Sequence, residues 1–348
     1  MTTHSDDGRN VDTAIATLGG EAAQQVVTGA DERLERIAPA PWPEAPRIGG
    51  DDTTYYGRPL LKPPVWSIDI PIYYFLGGTA GAALTLGAAL QLVYPRGSHP
   101  IRRLSGTCHW VGIIGSTAGA AFLIHDLGRP SRFLYMMRVF RPTSPMNMGT
   151  WILGGAAPTA IATGLLINRR GFPGLIGEIA GYMSGLFGAA LAGYTGVLVS
   201  TTAIPVWYES RRWLPVLFMA SSAAAAGSII EIAAGDPRSR AVTCVFGTAG
   251  RVAELVAAKK VERSASAVPR CGAVFHKGAP AILWKTASAL TAASLALSLF
   301  SGKSRKRAVA AGLLGAAGSL CLRFAIHSLG RASALDPRAS FEQQRSQS

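Results

Sequence analysis

The stretch that decides how this chain is read is Asp126–Trp151, DLGRPSRFLYMMRVFRPTSPMNMGTW. It lies between two long apolar segments and gathers Asp126, four arginines (Arg129, Arg132, Arg138 and Arg141) and three prolines. Fixed cations beside a bilayer are costly to hold without anionic, polar or redox partners. A connection that only joined two helices has no use for them, so this loop marks the end of the molecule where function is to be sought.

Working outward, spanning hydrocarbon takes about 20 apolar residues. Eight segments meet or approach that length: 70–94, 105–125, 148–167, 174–202, 213–234, 241–258, 279–300 and 308–328. The sixth is interrupted by Arg251 and Glu254, which share a helix face at i,i+3 and are expected to pair with each other. Small residues recur at close-approach spacing in Gly77-Gly78-x-x-Gly81, Gly115-x-x-x-Gly119 and Gly181-x-x-x-Gly185. Trp66, Trp110, Trp151, Trp207, Trp213 and Trp284 all fall near segment ends, as an aromatic belt requires. The pattern predicts an all-α, polytopic membrane protein with eight transmembrane helices. Residues 1–62 read as a polar, largely disordered tail with a short helix expected over 31–37. Residues 63–332 read as the membrane domain and 333–348 as a disordered C-terminal tail. Tyr55–Trp66, aromatic and proline-rich, is expected to be an ordered lead-in at the interface.

Charge follows the same division. Residues 1–68 hold ten acids and six bases, whereas 69–348 hold ten acids and 28 bases. The basic excess therefore belongs to the loops of a membrane domain, where it meets headgroups or a partner subunit, and not to nucleic-acid binding. Cys108, Cys244, Cys271 and Cys321 show no CxxC and no ligand spacing, so no disulfide framework, zinc site or iron–sulfur site is expected. If electrons move, a partner must supply the metal centres. No basic run followed by an apolar core opens the chain, so no signal peptide is expected.

An even number of spans places both ends of the domain on one side, here the A side. Asp69 and Tyr73 then lie one turn apart near that side, with His125, Asp126 and Trp151, and with Tyr194 in the A-side half of the fourth span. His109, Glu178 and Glu231 fall toward the opposite, B side, with Arg251 and Glu254 between. A carboxylate, tyrosines and a histidine converging below one surface suit a quinone headgroup, whose carbonyl oxygens want donors and whose reduction consumes two protons. Duller readings stand beside this one. Asp69 also reads as an interfacial N-cap, the tyrosines as packing aromatics, His109 as a core histidine, and Glu178 and Glu231 as snorkelling ends. A bis-histidine haem is not expected, because His109 and His125 are about 24 Å apart along one helix and only His125 and His327 share a depth.

Several segments together resemble the NrfD/PsrC family, the quinone-handling membrane subunits of polysulfide reductase-type oxidoreductases. They are Pro64-Val-Trp66 through Tyr74-Phe-Leu-Gly-Gly-Thr-Ala-Gly81, Asp126-Leu-Gly-Arg-Pro130, Arg141-Pro-Thr-Ser-Pro-Met146 through Gly149-Thr-Trp151, and Gly193-Tyr-Thr-Gly-Val-Leu-Val-Ser200. The resemblance implies two four-helix bundles, no bound haem or metal, and menaquinone or ubiquinone as substrate. It implies a ferredoxin-like 4Fe-4S partner and, through it, a molybdopterin-type catalytic subunit. Quinone binding falls by motif on Asp69, Tyr73 and Tyr194, with His125 beside them. Where the polysulfide reductase version has amide and histidine side chains, this chain has Asp69 and Tyr73.

The expected function is a membrane anchor and quinone/quinol-binding subunit of a multi-subunit oxidoreductase in the cell (inner) membrane. Asp126, Arg129, Arg132 and Trp151 form the pocket lid and docking surface in this reading. His109, Glu178, Glu231, Arg251 and Glu254 are candidates for a proton path. The competing class is a proton or small-molecule transporter without a redox role, which would use the same buried charges.

Overall fold

Hydrocarbon offers no water to an exposed peptide group, so a spanning chain must close its hydrogen bonds within helices or a barrel. From Asp69 onward the described chain is helical. The computed structural model describes residues 59–94, 99–300 and 304–345, together with four short strands in the first 58 residues. Those strands belong to a separate unit, residues 1–58, in which Thr3–His4 (β1) pairs antiparallel with Asn10–Val11 (β2) and Ile15–Thr17 (β3) with Gln25–Val27 (β4). The helix expected over 31–37 lies outside the described residues.

The long helices are α1 (Asp69–Val93), α2 (His99–Asp126), α4 (Pro145–Leu166), α5 (Phe172–Ser200), α7 (Leu214–Ala233), α8 (Pro237–Ala265), α10 (Gly278–Leu299) and α11 (Arg305–Leu335). Short helices α3 (Ser131–Met136), α6 (Pro205–Glu209), α9 (Pro269–Ala273) and α12 (Pro337–Arg345) fill connections and the C-terminal end. Starts are written in proline and capping residues. Pro145 opens α4 behind Ser144, whose hydroxyl accepts from Asn147 N, and Pro237 opens α8 behind Asp236, whose carboxylate accepts from Ser239 N at 2.8 Å. The Asp236 carboxyl is held below its usual range, first by that backbone N–H. Helix α2 ends on Gly128, which takes a left-handed φ of 69° and donates its N–H to His125 O. Pro130 then prevents continuation.

Seven of the long helices are long and apolar enough to cross a membrane. The eight spans expected from sequence are thus met by seven. Helix α4 is long enough but, with Asn147, three threonines and four glycines, falls short in apolarity. Helices α2, α4, α8 and α11 outrun the apolar segments that announced them, as polar turns such as 259–265 of α8 continue the helix.

Helix α1 packs on α2 and α5, and α4 packs on α5 and α2. A second set joins α7 to α8 and α11, and α10 to α11 and α8. The sets meet where α7 lies against α1 and α5, and α11 against α1. Without a hydrophobic drive between helices in lipid, such contacts rest on small residues that let backbones approach. Gly81 shows how close: a Cβ there would sit 2.6 Å from Ala192 N of α5. The lead-in is anchored too. Trp66 stacks on Trp207 of α6 (5.7 Å, 16°), whose Nε1 donates to Ile326 O of α11.

The second set buries charge. Arg251, fully buried, donates through Nη2 to Ser228 Oγ (3.0 Å) and to Glu231 Oε2 (3.1 Å). Glu254 accepts from Thr291 Oγ1 (2.6 Å) and Ser319 Oγ (3.0 Å). Arg323 reaches from α11 to Phe218 O and Ser222 Oγ on α7, its guanidinium 4.0 Å over the Phe218 ring. The expected Arg251–Glu254 pair is therefore corrected. The arginine turns to Glu231 on the neighbouring helix, and hydroxyls on α10 and α11 take the Glu254 carboxylate instead. The C-terminal tail, expected to lack structure, carries α12, to which Arg270 binds through Glu342 (3.2 Å) while also reaching Asp336 (3.3 Å).

Two outcomes follow for stability, read as unfolding midpoints in detergent. Gly81→Ala should lower stability by about 1–3 kcal/mol, as overpacking against a backbone does. Arg251→Met or Glu231→Gln alone should cost about 3–5 kcal/mol, whereas the double replacement should cost less than either, because no charge is left unpaired.

Candidate functional site

The A end is built by three elements meeting at Ser67. The residues before α1 run across the foot of α2, so the head of one helix and the foot of the next share a polar cluster. His125 Nδ1 donates to Asp69 Oδ2 at 2.7 Å. Ser67 Oγ lies 2.6 Å from Asp126 Oδ1 and 3.0 Å from Asp69 Oδ2, while Ser67 N donates to Asp126 Oδ1 at 3.1 Å. The Asp69 side chain is 12% exposed and that of His125 80%. A nearly buried carboxylate thus meets solvent through an imidazole and a hydroxyl, groups that can carry a proton between them.

One turn deeper, Tyr73 is 2% exposed and packs beside glycines. A Cβ at Gly77 would lie 3.4 Å from its ring and 3.8 Å from Leu191, and one at Gly119 would also lie 3.4 Å from the ring. Leu191 stands one turn before Tyr194 on α5, and the Tyr194 ring occupies the space a Cβ would need at Gly149, in the first turns of α4. Asp69, Tyr73, Tyr194 and His125 are thereby brought to one end of the first helix set, carried by α1, α2 and α5 with α4 closing over them.

The loop is organised by a residue the sequence reading passed over. Asn147, 9% exposed, donates through Nδ2 to Met136 O and to Val139 O (2.9 Å), and its Oδ1 accepts from Arg141 N (2.7 Å). With the backbone so pinned, the loop presents its side chains outward. Leu134, Tyr135, Val139 and Phe140 are all more than half exposed, among Arg129, Arg132, Arg138 and Arg141. Trp151 meets Phe140 edge-on at 5.8 Å. Asp126 bonds Ser67, and Arg132 bonds Leu127 O, closing the loop on itself.

The five candidates for a proton path fall in two places. Glu231, Arg251 and Glu254 belong to the charged interior of the second set. His109 and Glu178 line a cavity of about 400 Å³ at the B end of the first set. A second cavity, of about 360 Å³, lies at the A end between the lead-in and the 202–207 connection, lined by Pro64, Trp66, Ile204 and Trp207 among others. Neither is lined by Asp69, Tyr73 or Tyr194.

Besides Asn147 and Ser67, the sequence reading did not single out Tyr74 or give Arg323 a role. The Tyr74 hydroxyl is buried with no hydrogen-bond partner among the described residues, its ring 5.8 Å from Phe218. Arg323 leaves Nε and Nη1 unpartnered. Adjacency to Tyr73 and an arginine inside an apolar span were the available signals. Among the described residues no three His, Cys, Asp or Glu side chains gather as metal ligands would.

No curated protein matches the chain. The family model described as polysulphide reductase, NrfD, matches residues 60–332, from the lead-in through most of the last long helix, and the chain belongs to that family.

Proposed function

We propose that this protein is the membrane-anchoring, quinone/quinol-binding subunit of a multi-subunit oxidoreductase of the cell membrane. In this reading eight helices cross the bilayer as two four-helix bundles. Electrons pass between a quinone at the A end and a ferredoxin-like 4Fe-4S subunit, itself joined to a molybdopterin-type catalytic subunit. One observation carries the reading: a buried carboxylate bonded to an exposed imidazole at 2.7 Å, on the turn above Tyr73 and at the same end as Tyr194.

The quinone ring supplies two-electron chemistry. The chain's own residues supply hydrogen bonds and protons. Phenolic hydroxyls of Tyr73 and Tyr194 donate to ring oxygens, and being neutral they do so at little desolvation cost. The Asp69 carboxylate is the proton station beside the ring oxygen nearest the surface, and the imidazole bonded to it relays protons to and from solvent. Arg129 and Arg132, with the exposed aromatics around them, form a basic and apolar surface suited to an acidic partner. The flat faces of Phe140 and Trp151 bring hydrophobic area to that contact.

Within the second bundle, Glu231 and Arg251 with Ser228, and Glu254 with Thr291 and Ser319, form the proposed proton path. Buried charges of this kind are what a transporter without a redox role would also need. The discriminating feature is the A-end cluster, for which a transporter has no use.

In the assembled complex, Tyr194→Phe should lower quinone turnover about tenfold, the loss of roughly 1.4 kcal/mol, while the iron–sulfur subunit still co-purifies. Unchanged turnover would remove Tyr194 from the site. Asp69→Asn, which keeps the size of the side chain and removes its charge, should lower the same rate about tenfold, with co-purification of the iron–sulfur subunit unchanged.

A further inference from the structure

The cavity of about 400 Å³ at the B end has no part in the reading above. It opens between the foot of α1, the head of α2, the foot of α4 and the head of α5, at the opposite end of the first helix set from Asp69. Its innermost polar groups are His109 and Gln91. His109 is 2% exposed, ten residues or about 15 Å into α2, and its Nε2 lies 3.2 Å from Gln91 Oε1. The Gln91 amide is held in turn against Gly181 of α5, where a Cβ would stand 2.7 Å from its Nε2. Leu90, Ile101 and Ile167 make the walls apolar, and Tyr94 and Tyr182 add aromatic faces. At the mouth stand Glu178 and Arg102, whose Nη2 already donates to Asn168 Oδ1 at 3.3 Å.

The mouth carries one charge of each sign and the floor no fixed charge, so a charged headgroup would find no counter-charge at depth, whereas a neutral one gives up little on entering. The floor offers the Gln91 amide N–H to a ring oxygen, its carbonyl being taken by His109 Nε2, and the walls suit a flat ring with an apolar tail. Volume agrees, since drug-sized ligands occupy cavities of roughly 300–1,000 Å³. We propose that this cavity is a second ligand site, taking a neutral amphiphile of the quinone class, its ring oxygen accepting from the Gln91 amide N–H, which His109 holds in place. The site stands independently of the one at the A end.

Gly106 gives a clean test. It lines the cavity, and a Cβ there would meet no heavy atom within 4 Å. Gly106→Phe therefore fills the space without displacing backbone. The complex in lipid nanodiscs would be titrated with decylubiquinone by equilibrium dialysis, alongside Gly106→Phe, His109→Leu and Tyr194→Phe, with unfolding midpoints as a control for folding. Expected are two bound equivalents for the wild type, one for Gly106→Phe, and at least tenfold weaker binding of that equivalent for His109→Leu. The Gly106-sensitive equivalent should persist in Tyr194→Phe. A single equivalent, sensitive to Gly106→Phe alone, would support this site while removing the one at the A end. Identical stoichiometry and affinity in Gly106→Phe and wild type would overturn the proposal. So would a Gly106→Phe variant that loses a co-purifying phospholipid but no quinone.

Discussion

The membrane domain depends on how closely α1 can be approached. Lipid tails are as apolar as leucine, so helices in hydrocarbon gain little by hiding apolar surface from one another. They gain by dispersion and by hydrogen bonds, both of which fall off steeply with distance. Helix α1 answers with glycine at 77, 78 and 81, and α2, α5, α7 and α11 all lie against it. At Gly78 the approach brings Ser222 and Arg323 of the second set beside the first. The same helix carries Asp69, Tyr73 and Tyr74. Asp69 and Tyr73 thus sit on an element held by four neighbouring helices, as a site that must hold a ring in register requires.

Polar groups are distributed according to what each region can repay. At the A end Asp69 keeps contact with water through His125, so its charge is never fully desolvated. In the second set there is no such outlet, and Arg251, Glu231, Glu254 and Arg323 are balanced two against two, with serine and threonine hydroxyls filling the gaps. A buried ion pair is a poor source of stability, since apolar residues of the same volume often do as well or better. Two buried carboxylates beside two arginines whose guanidinium groups keep N–H groups unpartnered among the described residues are therefore hard to explain as scaffolding. They fit a region that must pass charge, where unpaired donors are sites for water.

The architecture was legible because its signals are strong and local. Runs of about 20 apolar residues, prolines at first turns, Gly128 two residues before Pro130, and tryptophans at segment ends all point to the helices found. The family was legible in Asp126–Pro130 and Arg141–Pro145. What depends on the rotation of one helix against another was not. Spacing put Arg251 and Glu254 on one face, but whether they pair depends on Glu231, Thr291 and Ser319 arriving from three other helices. The same limit hid Ser67 as the bridge between two carboxylates 57 residues apart in sequence, and Asn147 as the pin of the loop. Helix α4 shows the limit from the other side: its threonines and glycines dilute its apolarity, so it is a long helix without the composition of a span.

The two ends of the first helix set differ in a way that bears on direction. The A end has a carboxylate hydrogen-bonded to an imidazole at its surface, hydroxyls beneath, and a basic aromatic loop beside it. The B end has a neutral imidazole–amide pair on the floor of a cavity and charges only at the mouth. A carboxylate in reach of water exchanges protons readily but penalises any ligand that shields it; a floor without fixed charge does the reverse, holding a ligand without exchanging protons with it. A ring that must gain or lose protons is therefore better served at Asp69, and a ring that must only be retained is better served at Gln91. On the proposed reading turnover belongs to the end with the arginine loop, and the opposite end is suited to storage.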